Sequence, residues 1–136
     1  MQPLKTFIVE DSPVIRDNLI ATLEELAPVK VVGTAEDETA ALEWLGQADH
    51  EFDLVIIDIF LRRGSGLGVL RQMTGLQQDA KLIVLSNYAT TDMRRKCLEL
   101  GADKVFDKSG EIDALIQYCG RLARGEPADS RPAALT

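Results

Sequence analysis

Sulfur and imidazole are scarce in this sequence, which has two cysteines, Cys97 and Cys119, and one histidine, His50. The cysteines stand far apart inside helical patterns, with no CxxC pair and no neighbouring histidine. That excludes a thiolate zinc site, and both read as buried free thiols. His50 falls in a polar stretch before a strand and reads as a surface residue. No apolar run comes near the roughly 20 residues needed to span a bilayer. The opening Met1-Gln2-Pro3-Leu4-Lys5 meets charge too soon for a secretory leader, so a cytoplasmic setting without a membrane partner is expected. Basic residues are also in the minority, 15 against 22 acidic, a net charge of −7. Phosphate repulsion then argues against direct DNA or RNA binding.

What the chain does have is a hydrophobic fraction of 46% over 136 residues, enough for one folded domain. Leu4 to Val9, Val29 to Val32, Phe52 to Ile57, Lys81 to Leu85 and Lys104 to Asp107 read as strands, the second closed by Gly33-Thr34. Helical stripes alternate with them. Ser12-Pro13 opens the first, carrying Ile15, Leu19, Leu23 and Leu26. Glu36-Asp37-Glu38 leads into the second, with Ala41, Leu45, Ala48 and a core Trp44. Leu67, Val69, Leu70 and Met73 mark the third, ending at Gly75. Thr90-Thr91-Asp92 caps the fourth, with Met93, Cys97 and Leu100 before a stop at Gly101. Ser109 begins the fifth, with Ile112, Leu115, Ile116, Cys119, Leu122 and Ala123. Strict alternation implies an α/β fold, a doubly wound parallel sheet of five strands with helices on both faces. From Gly125 the pattern stops, and residues 125–136 are expected to be a disordered tail without an output domain.

The stretch Leu54-Val55-Ile56-Ile57-Asp58 is the most informative, because a continuous apolar run fits a strand buried on both faces. Its acid would lie at the carboxyl edge of the sheet, where open α/β folds hold ligands. The first strand delivers Glu10 and Asp11 to that edge, the fourth Ser86, and the fifth Lys108. Three carboxylates crowded together call for a cation, and a hard divalent ion such as Mg²⁺, with Mn²⁺ as substitute, suits oxygen donors. An aspartate can act as a nucleophile toward phosphorus, with Lys108 and the metal neutralising phosphoryl oxygens and Ser86 donating its hydroxyl. With no base at hand to activate water, hydrolysis should be slow, which suits a timed signal better than a turnover enzyme.

These residues in this order resemble the receiver domain of two-component response regulators, from about Lys5 to Arg124. The matching positions are Glu10-Asp11, Asp58, Ser86, Lys108 after Gly101-Ala102-Asp103, and the turn Gly64-Ser65-Gly66-Leu67. The resemblance implies a flavodoxin-like sheet in the order 2-1-3-4-5, over a receiver domain of residues 1–124 of the stand-alone type. It implies Mg²⁺-dependent phosphorylation of Asp58 by a histidine kinase or histidine phosphotransfer protein, with the Phe60 backbone carbonyl as a further metal ligand. Output would be by protein contact or phosphoryl relay.

The chain departs from the family at two places. Where the family has an aromatic switch residue three before the lysine, Val105 stands, with Phe106 beside it on the opposite face of the strand. Ser109 replaces the proline that often follows the lysine, so that peptide bond should be trans. Phe60 and Tyr88, each two residues beyond a reactive position, are expected to slow phosphate loss. Arg94-Arg95-Lys96 reads as a solvated face or, with Met93 and Val105, as a surface for an unknown protein target or a homodimer. Two alternatives stay open: a haloacid-dehalogenase-like phosphatase, which wants an acid at Phe60, and a flavodoxin-like flavin carrier, which wants a hydroxyl-rich loop where Glu10-Asp11 stand.

Overall fold

A computed structural model describes residues 2–74 and 79–126. Strands β1 (Leu4–Val9), β2 (Val29–Ala35), β3 (Leu54–Ile57), β4 (Lys81–Ser86) and β5 (Lys104–Asp107) alternate with helices α1 (Pro13–Leu26), α2 (Glu38–Leu45), α3 (Gly66–Thr74), α4 (Thr91–Glu99) and α5 (Ile112–Ala123). The strands form one parallel sheet in the order β2-β1-β3-β4-β5. Consecutive parallel strands need crossovers, and the helices supply them. The central strand β3 is buried at every residue, as its unbroken apolar run requires.

Two cores line the sheet. Phe7, Val55, Ile57, Val84 and Val105 pack under α2, α3 and α4 with Leu45, Leu70 and Cys97, whereas Ile8, Ile56, Ile83 and Phe106 pack under α1 and α5 with Leu23, Leu115 and Tyr118. Alternate residues of each strand thus serve opposite cores. Both cysteines are free and buried, as expected. Among the described residues no helix is long and apolar enough to cross a membrane.

Several local expectations are corrected. Gly33 does not close β2, which runs on to Ala35 past an irregularity that leaves Val32 out of register. The glycine is there for space, since a Cβ would come within 2.6 Å of the Trp44 indole. That indole stacks on Phe7 at 4.1 Å. It also stacks on His50 at 4.0 Å, and His50 Nδ1 lies 2.7 Å from the Trp44 carbonyl. His50 is therefore half-buried and packed rather than a bare surface residue. In α1 only Leu19 and Leu23 are buried, while Ile15 and Leu26, nearer the two ends of the helix, are exposed. Ser12 caps α1 by accepting from Ile15 N–H, and Asp37 and Thr90 cap α2 and α4 likewise. Ser109 does not start α5. Its N–H and hydroxyl both donate to Asp107 Oδ1, which turns the chain so that α5 begins only at Ile112. Ala48 lies beyond α2. The expected helix stop at Gly75 and most of the expected tail, residues 127–136, lie outside the described residues.

Candidate functional site

Backbone pairing fixes the residues at the carboxyl edge. Asp58 continues β3 by donating its N–H to the Val9 carbonyl at 3.0 Å. Glu10 N–H donates to Ala35 O, and Lys108 N–H donates to the carbonyl of Ser86, the last residue of β4. Acids and lysine from strands distant in sequence are thereby held side by side. The loop after Asp58 folds back tightly, with Phe60 bridged antiparallel to Ser65 and Gly66 N–H donating to Ile59 O. Gly66 must lack a side chain, because a Cβ would overlap the Asp58 carbonyl.

The charges are arranged around Lys108. Its Nζ donates to Glu10 Oε1 at 2.5 Å and to Asp58 Oδ2 at 3.1 Å. Glu10 and Asp58 are almost wholly buried, 2% and 8% exposed, so each needs such partners. Burial works against the Lys108 charge, but hydrogen bonding to Glu10 and the charge of Asp58 outweigh it and hold its pKa above the ordinary lysine value. Backbone donors satisfy the rest: Ser12 N–H to Glu10 Oε2, Phe60 N–H to Asp58 Oδ1, and Arg62 N–H to Asp11 Oδ2 at 2.6 Å.

Glu10, Asp11 and Asp58 each offer an oxygen within 4.8 Å of the others. One ammonium leaves two negative charges uncompensated, and all donors are carboxylate oxygens. That donor set fits a hard divalent cation such as Mg²⁺ or Mn²⁺.

Ser86 is wholly buried at the same edge, its Oγ accepting from Tyr88 N–H at 3.0 Å. Phe60 N–H donates to Asp58 in the corresponding way. The two aromatic rings then meet edge to face, with centroids 5.0 Å apart, and both are about half exposed. Val105 and Phe106 part as strand alternation predicts. Val105 joins the core under α4, and Phe106 packs on Tyr118 under α5 with centroids 5.9 Å apart. Val105 is buried, so its side chain is no part of an exposed partner face. The Lys108–Ser109 bond is trans.

Two residues are more engaged than the sequence suggests. Arg94 is not merely a solvated charge, because it donates to Ala89 O, Val105 O and Glu111 Oε1, whereas Arg95 pairs with Asp92 at the surface. Glu38 is more than an acid at a helix start, since its Oε1 accepts from Ser65 N–H at 2.8 Å. The glycines at 64, 66 and 68 were the available signal that something packs closely on that turn.

The response regulator receiver domain family matches residues 6–119. Fimbriae Z protein of Salmonella typhimurium is 24% identical over 92% of this chain and 59% of its own length. The chain spans about half the length of the curated relatives it matches. Among solved structures, the NarL signal receiver domain of Mycobacterium tuberculosis superposes with a TM-score of 0.80 at 21% identity, covering 93% of this chain and 100% of that one. A response regulator protein from Burkholderia pseudomallei with a phosphorylated aspartic acid, calcium ion and citrate gives 0.72 at 24% identity, over 89% and 69%. These likenesses confirm a receiver fold with the strand order 2-1-3-4-5. With a family match over most of its length, the chain belongs to the response regulator receiver domains of two-component signalling.

Proposed function

We propose that this chain is a phosphoacceptor signalling domain in which Asp58 receives a phosphoryl group from a histidine kinase or histidine phosphotransfer protein. The observation that carries the reading is the bridge from Lys108 Nζ to Glu10 and Asp58 inside a group of three converging carboxylates. Asp58 Oδ attacks phosphorus, the N–P bond of the donor phosphohistidine breaks, and the imidazole leaves with the electron pair and takes up a proton. Lys108 is within reach to pair with a phosphoryl oxygen, and Ser86 Oγ supplies a hydroxyl at the same edge.

Glu10, Asp11, Asp58 and the Phe60 carbonyl would hold Mg²⁺ or Mn²⁺. The metal, when bound, neutralises charge on the transferring phosphoryl group. The only histidine lies against Trp44, before β3 at the amino edge of the sheet, so no imidazole is placed to activate water beside Asp58. Slow loss of phosphate and a signalling role rather than turnover are the behaviour this reading expects. The exposed flank of α4, with Arg95, Lys96 and Leu98, is the surface offered to a protein target or a second copy. The phosphorylated aspartic acid and calcium ion of the Burkholderia protein support the reading by likeness.

The two alternatives are not favoured. Phe60 stands where the phosphatase needs its second acid, and acids stand where a flavin phosphate would lie. The test is incubation with acetyl phosphate or phosphoramidate and Mg²⁺, followed by intact mass. One phosphoryl group should be gained by the wild type and none by Asp58→Asn. No gain in the wild type, or an equal gain in the variant, overturns the proposal.

A further inference from the structure

We propose that Glu38, the first residue of α2, is a positioning residue for the cation site, acting through the loop that follows Asp58. The inference rests on the metal-dependent reading above.

The loop of residues 59–65 orients two of the three carboxylates. Phe60 N–H donates to Asp58 Oδ1 at 3.3 Å, and Arg62 N–H donates to Asp11 Oδ2 at 2.6 Å. Such a loop places these donors accurately only if it is itself held. Its near end is fixed by β3. Its far end is held from α2, where Glu38 Oε1 accepts from Ser65 N–H at 2.8 Å and Glu38 N–H donates to Arg63 O at 3.3 Å. Ser65 is the right place to grip: it is bridged to Phe60, and its Oγ accepts from Leu67 N–H at the start of α3. A pull at Ser65 is therefore passed to Phe60 and to the Asp58 carboxylate.

The fit around Glu38 is close. A Cβ on Gly64 would come within 2.5 Å of the Glu38 Cβ, and a Cβ on Gly68 would overlap Glu38 Oε2. Both glycines leave room for this carboxylate. Gly68 lies within α3, where alanine would otherwise be the better helix former. The glycine has a local reason, and the reason is Glu38.

Groups that orient ligands without touching the ion typically alter metal affinity 10- to 100-fold when removed. Mg²⁺ binding is measured by calorimetry and Mn²⁺ binding by the loss of its free paramagnetic resonance signal. Glu38→Ala should bind either ion about tenfold more weakly. Glu38→Gln, which keeps an oxygen acceptor for Ser65 N–H, should remain near wild type. Hydrogen exchange at the Ser65 amide should accelerate in the alanine variant only. Phosphorylation by acetyl phosphate should recover in Glu38→Ala at saturating Mg²⁺, a split that mere loss of fold would not give.

Gly68→Ala supplies an independent route, because it displaces the carboxylate while leaving residue 38 in place. It should weaken Mg²⁺ binding alone, and add no further loss in the Glu38→Ala background. Affinity within twofold of wild type in both single variants overturns the positioning role. If the wild type itself binds neither ion, the metal reading fails instead, and the two failures are told apart.

Discussion

Arg94 Nη2 donates to Glu111 Oε1 at 2.7 Å, and this contact joins α4 to the residue that precedes α5. The same carboxylate oxygen accepts from Asp107 N–H at 2.8 Å, while the guanidinium also holds the carbonyls of Ala89 and Val105. One side chain thus ties the loop after Ser86 to β5, the strand that leads into Lys108. The planar fork of arginine lets one side chain reach three acceptors at once. Where the family has an aromatic switch, this chain has a buried Val105 whose backbone is gripped from outside.

The hydrogen bond from Arg94, followed by that from Asp107 N–H, holds the Glu111 carboxyl below the ordinary glutamate value of 4.5. A depressed carboxyl stabilises the fold above its unfolded pKa, and that contribution is lost as pH falls through the folded value. Both side chains are over a third exposed, so Arg94→Ala should cost only about 1 kcal/mol at pH 7. Urea unfolding at pH 7 and pH 4 would measure it. The gap between wild type and variant should shrink at the lower pH, and a constant gap would show that Glu111 is not its source.

Phe60 and Tyr88 predict the lifetime of the phosphorylated form. Their backbone N–H groups hold Asp58 and Ser86, and their rings meet edge to face. An edge-to-face pair is worth about 0.5–1.5 kcal/mol, so breaking it should admit water several-fold more often. Phe60→Asn and Tyr88→Ala should each speed loss of phosphate by about that factor, followed by mass after removal of the donor. Because the pair is shared, the double variant should be little faster than either single one. Unchanged rates in both single variants would rule the gate out.

The fold and the gathering of Glu10, Asp58 and Lys108 at one sheet edge were legible because both depend on chain-local patterns. A continuous apolar run ending in Asp58 says buried strand and sheet edge, and the two-residue period of a strand is enough to separate Val105 from Phe106. What lay hidden depends on contacts between distant segments. Glu38 looks like a helix-start acid until α2 is set against the turn 27 residues away. Arg94 looks like one of three surface cations until β5 and Glu111 are brought beside it. Gly33 reads as a strand end because its true neighbour, the ring of Trp44, lies a helix away.

The carboxylate group predicts a metal-dependent stability. A ligand at 100 times its dissociation constant adds about 2.7 kcal/mol if it binds only the folded state. Mg²⁺ at that excess should raise the melting temperature, and EDTA should reverse the rise. Lys108 is the only cation within bonding distance of Glu10 and Asp58 among the described ion pairs. Lys108→Ala should therefore lower stability by about 3 kcal/mol without metal, and should gain more from Mg²⁺ than the wild type does. A melting temperature indifferent to Mg²⁺ in both proteins would remove the cation from the account.

Cys119 predicts the alkaline limb of stability. It is wholly buried on the inner face of α5, and burial pushes its thiol from the ordinary 9.0 up to about 12. Cys97, on the buried face of α4, is raised for the same reason. A thiol with a raised folded pKa is neutral in the folded state while the unfolded chain ionises, so stability is intact below pH 9 and declines above it. Each such group costs about 1.4 kcal/mol per pH unit once the unfolded thiol is ionised. Lys108 titrates only above the ordinary lysine value of 10.5, so it is not the source of a decline between pH 8 and pH 10. Denaturant unfolding across that range should show a decline that Cys119→Ala lessens, after allowing for the cavity it leaves. The native protein at pH 8 should also resist iodoacetamide until denaturant is added. A flat profile to pH 10, or rapid native alkylation of Cys119, would contradict the buried thiol.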